Sequence, residues 1–516
     1  MFMILQKLLK EIESLNPVGK LDNCLSDGKK QVNIGGLSAS SKAMVVAHVF
    51  RKLLRPMLVI STESETAERM ADDLKAFLGD GLVYLFPALG ISPYEIRAPH
   101  MEIVGQRLLA LYNLSCGQPM VIVAPVEAIL EKTIPKRDLS EYSLRLERGK
   151  ELDREKLIAL LERLNYQRSP MTEMLGEYSV RGGIIDFFAP KDEDPVRIEF
   201  FGDVIESIRH FSVLTQRSTS QVESTVILPR REIIFNDDII ERYAHTLDEA
   251  QAQALYITLG DNGDYDGLEF IWPNMGVNMA NLFEHLSQQT LVFVDEPGLC
   301  DGQAESVFET AQKRYKSLCE KSDESYRLFA KPERIYLDRH MFDLELERFR
   351  VVNLTVSYDD ERSDVVFHTR AQEYFSSNMS FVKGRLAELY QQGYKLNILC
   401  EGPSQKERIG ELIDDLHFPI GLHVARLSSG FAITELKQWF LVGNQMFTRF
   451  RKRHYIKRFR EGVALSSYNS LNPGDFVVHI DYGIGKFLGL ETLVVDGRKR
   501  DCLALLYLGN DKLYVP

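Results

Sequence analysis

A loop that could bind phosphate lies near the start of the chain, between a strand pattern and a helical pattern. Its sequence, from Gly36 to Ala43, is GLSASSKA and keeps the first glycine and the lysine, Lys42, of GxxxxGK[ST]. Ser41 replaces the glycine that lets the backbone close around phosphates, and Ala43 replaces the hydroxyl that ligates Mg²⁺. We therefore predict a degenerate loop. Residual nucleotide binding is the alternative, since helix N-termini bind anions.

An acidic pair, Asp295 and Glu296, ends the apolar run TLVFV much later in the chain. An ATPase built on a parallel sheet carries a metal-holding aspartate and a water-activating glutamate at such a strand end. An acidic pair in this position is also common as a simple exposed turn. Because the pair follows a broken phosphate loop, we interpret it as a degenerate Walker B motif that has no nucleotide to serve.

The elements that would position both motifs are those of a parallel α/β sheet. Up to about residue 130, apolar runs such as QVNIGGL and MVIVAP alternate with helical stretches such as SKAMVVAHVFRKLL. This alternation predicts a doubly wound fold. The later run TLVFV is apolar enough to be a buried strand that returns to the same sheet.

The sequence pattern changes several times after the first sheet. From about residue 143, strands such as GGIIDFFAP and VRIEFFG alternate with turns, which predicts an antiparallel α+β insert ending near Thr215. The segment 364–448 begins with VVFHT and predicts a small α/β domain. A basic stretch follows, and then NPGDFVVHIDYGIGKFLGL begins a set of β-rich pieces that predict a small barrel.

Composition excludes several classes of protein. A chain of 516 residues, 45% hydrophobic and 26% charged, is too long for one core, so we expect several domains. The net charge of −12 argues against a surface that follows nucleic acid throughout. Six scattered cysteines without a CxxC pair predict neither a disulfide framework nor a metal site. Because no signal peptide or long apolar run is present, we expect a cytoplasmic protein with no membrane partner.

Residues 176–211, GEYSVRGGIIDFFAPKDEDPVRIEFFGDVIESIRHF, resemble the domain shared by the excision-repair protein UvrB and the bacterial transcription-repair coupling factors. The α/β parts around this segment resemble the degenerate first helicase domain of the same proteins. NPGDFVVHIDYGIGKFLGL and NDKLYVP resemble the RNA-polymerase-interacting domain of coupling factors, an SH3/Tudor-like barrel that is also CarD-like. Only coupling factors combine these parts, so the whole chain resembles the N-terminal, non-motor portion of that family.

The resemblance implies a multidomain α/β and α+β chain. It would consist of a degenerate P-loop helicase-like α/β domain with an inserted α+β domain, a small α/β domain and a C-terminal small β-barrel. The predicted boundaries are 1–130 and 218–350 for the helicase-like domain, 131–217 for the insert, 360–448 for the small α/β domain, 449–470 for a basic linker helix and 471–516 for an apparently truncated barrel.

The resemblance also implies that the insert binds the damage-recognition ATPase UvrA. Matching the motifs residue by residue places the contact positions of the family on Arg181, Arg197 and Phe201. Strand alternation puts Arg197, Glu199 and Phe201 on one face, and arginine and aromatic side chains dominate binding energy at interfaces. The alternative is that Phe201 belongs to the core and that Arg181 is a turn residue paired with Asp186.

Two further candidate sites lie towards the end of the chain. The resemblance places a contact with the RNA polymerase β subunit on Leu493 of ETLVVDG, although an apolar side chain beside a turn could equally be barrel core. The basic stretch from Arg449 to Arg460 is either a solvated helix face or a local contact with phosphates. The candidate phosphate contacts are Arg451, Arg453, Lys457 and Arg458.

These observations predict a scaffold for transcription-coupled DNA repair that recruits UvrA and contacts stalled RNA polymerase. The resemblance implies that the complete family member is an ATP-dependent DNA translocase. We expect its motor, with ATP, Mg²⁺ and the main contact with double-stranded DNA, to lie beyond this chain, which would have no cofactor and hydrolyse no ATP. One alternative is a UvrB-like, ATP-binding damage-loading subunit that uses residues 35–43. A CarD-like transcription regulator is another, but the long upstream region argues against it.

Overall fold

The chain forms two compact units, Met1–Thr448 and Arg449–Pro516, and each is considered separately. The computed structural model describes residues 3–234, 237–259, 266–321, 325–359, 362–373, 379–446, 474, 476–479, 483–495, 498–507 and 512–515. Within these ranges, the first unit contains three β-sheets of five or more strands, and the second contains one sheet of four strands. The predicted mixed α/β, multidomain architecture with a parallel sheet is confirmed.

A seven-stranded parallel sheet, which we call the large sheet, forms the centre of the first unit. Its strands Met57–Ser61 and Val121–Pro125 are buried at every position, because helices cover both faces. Alternate side chains enter two separate cores, for example Val59 on one face and Leu58 on the other. In spatial order the strands are Val365–Val366, Gln31–Gly35, Arg350–Leu354, Leu291–Asp295, Met57–Ser61, Val121–Pro125 and Val83–Leu85.

The helices around the large sheet divide between its two faces. The amphipathic N-terminal helix lies on one face, where Leu5, Leu8 and Leu9 join the core. The helices on that face are Met3–Glu11, Asn16–Ser26, Ser41–Leu53 and Ser64–Leu78. Those on the other face are Met101–Ser115, Val126–Leu130, Lys136–Glu141, Leu282–His285, Pro297–Lys321 and Arg339–Leu346.

One strand belongs to a different sheet from the one that the sequence predicts. Val365–Val366, within the run VVFHT, pairs in parallel with Ile34 and Gly35 and forms the edge of the large sheet. We expected this run to begin the small α/β domain. Only its last residue, Thr369, lies in a strand of the small sheet. A strand of two residues has no periodicity from which its partner in the large sheet could be inferred.

The insert folds as a six-stranded sheet, here the insert sheet, with the helix Arg154–Arg163 on one face. Leu157 and Leu161 of the helix pack against Ile185 and Ile198 of the sheet. Neighbouring strands are antiparallel except for the last pair, which is parallel. In spatial order the strands are Ser218–Val222, Val204–Phe211, Val196–Phe201, Ile184–Phe187, Glu177–Arg181 and Gln167–Arg168.

The chain enters and leaves the insert at adjacent points. Leu144–Glu147, before the insert sheet, pairs antiparallel with Ser224–Ile227, after it. Just beyond the exit, Glu232 accepts a hydrogen bond from Nε of the buried Arg107 (2.5 Å), and Nη1 of the same arginine donates to Glu131 (2.7 Å). A buried arginine needs such partners to offset the loss of water. This network holds the exit of the insert against the part of the unit that is built on the large sheet.

The rest of the first unit consists of a helical region and a small mixed sheet. The helical region surrounds the fully buried Trp272. Its α-helices are Asp237–Ala244, Glu249–Leu259, Leu268–Ile271 and Pro332–Ile335. The small sheet has, in spatial order, strands Thr369–Ala371, Phe431–Ile433, Gln438–Val442, Lys395–Cys400 and Ile420–Val424, with helices Met379–Gln391, Pro403–Ile413 and Gly443–Met446.

The described residues of the second unit form an antiparallel sheet of four strands. The second and third strands form a long hairpin in which Leu493 lies opposite Arg500. The strands are Phe476–His479, Gly483–Val495, Arg498–Leu506 and Lys512–Val515. Four consecutive antiparallel strands agree with the β-rich pattern of the sequence.

Candidate functional site

The loop that carries the degenerate phosphate motif joins the strand Gln31–Gly35 to the helix Ser41–Leu53. Gly36 adopts a positive φ of 77°, a conformation that glycine enters without steric cost. A Cβ atom added to Gly36 would lie 1.8 Å from the carbonyl oxygen of Phe367, and one added to Gly35 would lie 2.4 Å from the Cβ of Tyr358. The backbone therefore lies closely packed against a segment more than 300 residues away in sequence.

The polar groups of the loop are bonded to that same segment. The hydroxyl of Thr369 donates to the carbonyl oxygen of Gly36 (2.8 Å) and accepts from the amide of Ser38 (2.7 Å). The amide of Leu37 donates to the carbonyl oxygen of Thr355 (3.1 Å). A phosphate loop binds its ligand with backbone amides of this kind. Here the chain itself supplies the acceptors.

The lysine of the first motif and the acidic pair of the second are in direct contact. Nζ of Lys42 lies 2.5 Å from Oδ1 of Asp295 and 2.6 Å from Oε1 of Glu296, and Lys42 is only 7% exposed. Burial alone would lower the pKa of Lys42, but the two carboxylates outweigh burial and raise it. Glu296 also accepts from the amide of Val356 (2.8 Å). The groups that would hold phosphate and metal in an active site are paired with each other here, one ammonium with two carboxylates.

The small sheet region contributes a second set of contacts to the loop. Ser428 donates through its amide (2.5 Å) and its hydroxyl (2.7 Å) to the fully buried carboxylate of Asp73. Ser429 donates through its amide to the hydroxyl of Ser40 in the loop (3.1 Å). Burial raises the pKa of Asp73 to about 6, although these hydrogen bonds act in the opposite direction. The loop is thus enclosed by contacts from both sides.

The predicted UvrA-binding residues lie together on the face of the insert sheet opposite its helix. Arg181 pairs with Ile184, and Asp186 pairs with Arg197, so these side chains alternate onto one face with Phe201. The side chain of Arg181 is 44% exposed and that of Arg197 is 14% exposed. Phe201 is 79% exposed, so the alternative in which it belongs to the core is wrong. An exposed aromatic ring on the same face as a partly exposed arginine is typical of a protein interface.

A buried carboxylate that the sequence analysis treated only as a pairing partner lies under this face. Asp186, 1% exposed, accepts from Nη2 of Arg181 (2.5 Å) and from Nε (2.8 Å) and Nη2 (2.9 Å) of Arg197. The guanidinium of Arg197 also stacks over Phe211 at 4.5 Å. The hydrogen bond to Asp186, with its negative charge, raises the pKa of Arg197. The sequence signal was present, since an aspartate interrupts the apolar strand IIDFF.

The remaining predicted site residues are Leu493 and four basic residues before the second unit's sheet. The backbone of Leu493 lies in the strand Gly483–Val495, and the surroundings of its side chain lie outside the description. The basic candidates Arg451, Arg453, Lys457 and Arg458 lie outside the described residues. Within the described ranges, there is no group of three or more aspartate, glutamate, histidine or cysteine side chains that could hold a metal ion. In the same ranges no helix is long and apolar enough to span a membrane.

Two family models match parts of the chain that have been described above. Residues 144–233 match the UvrB interaction domain, and this range begins and ends close to the paired strands at the entry and exit of the insert. Residues 471–516 match the CarD-like/TRCF RID domain, which corresponds to the four-stranded unit. The two matches reproduce the combination of domains from which the resemblance was inferred. The chain is similar to the transcription-repair-coupling factors.

Curated transcription-repair-coupling factors match this chain along almost its whole length. The protein from Bacillus subtilis (strain 168) is 25% identical over 99% of the chain, and that from Myxococcus xanthus is 27% identical over 94%. A third, from Staphylococcus epidermidis, is 24% identical over 95%. The chain spans 46%, 45% and 44% of these proteins, less than half of a coupling factor in each case. The sequence prediction of this family is confirmed.

Proposed function

We propose that this chain is the recognition portion of a cytoplasmic coupling factor, a scaffold that brings UvrA to a stalled RNA polymerase. The observation that carries the proposal is the solvent-exposed Phe201 on the same open face of the UvrB interaction domain as the partly exposed Arg181. An aromatic anchor with a neighbouring arginine supplies the contacts that dominate binding energy at interfaces. We assign Arg181, Arg197 and Phe201 to the contact with UvrA.

The four-stranded unit is the proposed contact with transcription. Its match to the CarD-like/TRCF RID domain supports binding to RNA polymerase, and we assign Leu493 to the contact with the β subunit. The basic residues Arg451, Arg453, Lys457 and Arg458 are proposed to contact DNA phosphates locally. Translocation on double-stranded DNA with ATP and Mg²⁺ belongs, in this proposal, to the part of a coupling factor that the chain does not span.

The SH3/Tudor-like barrel and the P-loop origin of the large sheet are part of the same proposal. The loop after Gln31–Gly35 lies where a P-loop would lie, and its lysine meets the acidic pair at the end of the parallel strand Leu291–Asp295, two strands away in the large sheet. We propose that the ancestral nucleotide site is closed and that this chain hydrolyses no ATP. The UvrB-like ATP-binding alternative would need loop amides that can bind phosphate, whereas Leu37 and Ser38 already donate to Thr355 and Thr369.

Binding of purified UvrA to the chain tests the repair contact. Arg181→Ala and Phe201→Ala should each weaken the affinity for UvrA by about tenfold or more, as expected for interface anchors. Ile257→Ala is the matched control, because Ile257 is also strongly exposed but lies in the helical region. Loss of affinity in the control, or wild-type affinity in both insert variants, would refute the assignment.

Binding of RNA polymerase to the chain tests the transcription contact. Leu493→Ala should weaken binding, whereas Ile484→Ala, which truncates an exposed apolar side chain near the start of the same strand, should not. The affinity for UvrA should be unchanged in both variants. If Ile484→Ala weakens binding and Leu493→Ala does not, Leu493 is the wrong residue.

A further inference from the structure

The carboxylate of Asp186 occupies an unusual position on the proposed UvrA-binding face. It lies on the same face as exposed side chains, yet it is 1% exposed because Arg181 and Arg197 cover it. A buried carboxylate that loses its partners costs several kcal/mol, so the two arginines are held strongly to it. Both oxygens are used, since Oδ1 accepts from Arg197 and Oδ2 accepts from both arginines.

The backbone around Asp186 is fixed from both sides. Asp186 lies opposite Ser179 on one neighbouring strand and opposite Arg197 on the other. The hydroxyl of the buried Thr172 donates to Ser179 (3.1 Å) and lies 3.4 Å from the carbonyl oxygen of Asp186. Because its backbone is held in this way, the carboxylate of Asp186 has little freedom to move. Its position therefore determines where the guanidinium groups of Arg181 and Arg197 lie.

The two arginines differ in how many hydrogen bonds their guanidinium groups donate within the insert. Arg197 uses Nε and Nη2 on Asp186 and Nη1 on the carbonyl oxygen of Gln216 (3.2 Å), and it stacks on Phe211. Arg181 donates to Asp186 through Nη2, and almost half of its side chain faces solvent. One carboxylate under two guanidinium groups leaves a net positive charge directed outwards. The outward donors of Arg181 suit a carboxylate, which guanidinium binds in a two-point geometry.

We infer that Asp186 is a positioning residue for UvrA recognition, which holds Arg181 on the face that also carries Phe201 so that Arg181 can bind a carboxylate of the partner. This inference rests on the proposed function of the insert. It also changes the role proposed for Arg197. The main role of Arg197 is then to hold the buried carboxylate of Asp186, and its direct contact with the partner is secondary. The recognition unit then consists of Asp186, Arg181 and Phe201, with Arg197 and Phe211 beneath them.

Asp186→Asn separates positioning from simple electrostatic attraction, because the two predict opposite signs. Removing the negative charge makes the face more positive, so long-range attraction to an acidic partner alone would strengthen binding. If Asp186 positions Arg181, the same change should weaken the affinity for UvrA by about tenfold, the loss of one well-placed charged contact. Affinity should be measured on the full chain at two salt concentrations, together with its thermal unfolding.

A double-mutant cycle excludes a merely structural effect. If Asp186 acts through Arg181, Asp186→Asn should weaken binding in the wild-type background and have almost no effect on affinity in the Arg181→Ala background. A general disturbance of the insert would weaken both backgrounds equally. Should Asp186→Asn fail to fold, Asp186→Glu keeps the charge but displaces the carboxylate, and we expect it to weaken binding as well.

The outcomes distinguish this inference from the function on which it rests. If neither Phe201→Ala nor Arg181→Ala changes the affinity for UvrA, the proposed function fails. If these two variants weaken binding while Asp186→Asn and Asp186→Glu bind UvrA as tightly as the wild type or more tightly, the positioning role alone is overturned.

Discussion

Lys42 and Asp295 meet 2.5 Å apart inside the first unit, although 253 positions separate them in the chain. Parallel strands end at one edge of a sheet, so the helix after Gln31–Gly35 and the residues after Leu291–Val294 are brought to the same place. In a working ATPase a nucleotide and a metal ion would lie between these groups. Because these groups contact each other directly, this edge of the large sheet has a structural role. Its nucleotide binding and its contribution to stability can both be tested.

Restoring the consensus of the phosphate loop should not restore nucleotide binding. The double variant Ser41→Gly with Ala43→Thr recreates the GxxxxGKT pattern, but the amides of Leu37 and Ser38 still donate to Thr355 and Thr369. Calorimetric titration with Mg-ATP should detect no binding of the nucleotide to the wild type or to this variant. Micromolar affinity in either protein, abolished by Lys42→Ala, would mean that the loop can open.

Removal of the buried lysine should destabilise the first unit. Lys42→Met leaves Asp295 and Glu296 facing each other without a cation, and breaking a buried ion pair on one side costs about 3–5 kcal/mol. Adding Asp295→Asn and Glu296→Gln should recover most of that loss, because the uncompensated charges are gone. Urea unfolding of the three proteins measures both effects. Equal stability of Lys42→Met and the wild type would contradict the structural role.

Two glycines with similar backbone conformations should respond differently to alanine. Gly36 and Gly28 both have positive φ angles, 77° and 75°, but a Cβ on Gly28 would meet nothing within 4 Å. Gly28→Ala should cost about 1–2 kcal/mol from the left-handed conformation alone. Gly36→Ala must also displace the backbone at Phe367 and should cost clearly more. Matching losses in thermal unfolding would show that the loop is not closely packed.

The stability of the contact between Asp73 and Ser428 should depend on pH. Because burial raises the pKa of Asp73 to about 6, from an ordinary value of 3.8, the folded protein binds a proton more readily than the unfolded chain. This contribution to stability is complete below pH 3.8 and is lost as the pH rises through about 6. It amounts to at most about 3 kcal/mol. Asp73→Asn should remove that part of the pH dependence.

The measurement for Asp73 is the difference in unfolding free energy between the wild type and Asp73→Asn at several pH values. Asparagine can still accept from the amide of Ser428 and donate to its hydroxyl, so the variant keeps the contact without the titration. The difference should change between pH 4 and 6.5 and be constant above that range. A difference that is independent of pH would mean that Asp73 titrates as it does in the unfolded chain.

The sequence predicted those features that depend on local pattern. Buried apolar runs separated by helices indicated the parallel sheet, and the fixed geometry of parallel strands accounts for the meeting of Lys42 with Asp295. The alternation of Arg197 and Phe201 placed both on one strand face, and the structure has them there. In each case the residues in question lie in regular elements long enough to carry a period.

Features that depend on distant packing were not predictable. Nothing in GLSASSKA indicates that Phe367 and Thr369 will fill the loop, because those residues follow a two-residue strand whose partner is chosen by the folded sheet. The burial of Asp186 depends on two arginines that reach over it, and no periodicity encodes that. The exposure of Phe201 follows from its place at a strand end, where a hydrophobic residue could equally have faced inwards.

The antiparallel pairing of Leu144–Glu147 with Ser224–Ile227 has a consequence for how such a surface can evolve. The two ends of the insert emerge side by side. For the domain that carries it, the whole insert is therefore equivalent to one short loop between adjacent points. The insert can therefore be exchanged between hosts, provided that the contacts at its exit, such as that of Glu232 with the buried Arg107, are kept. A recognition surface attached in this way is portable, and two proteins that compete for one partner can acquire the same one.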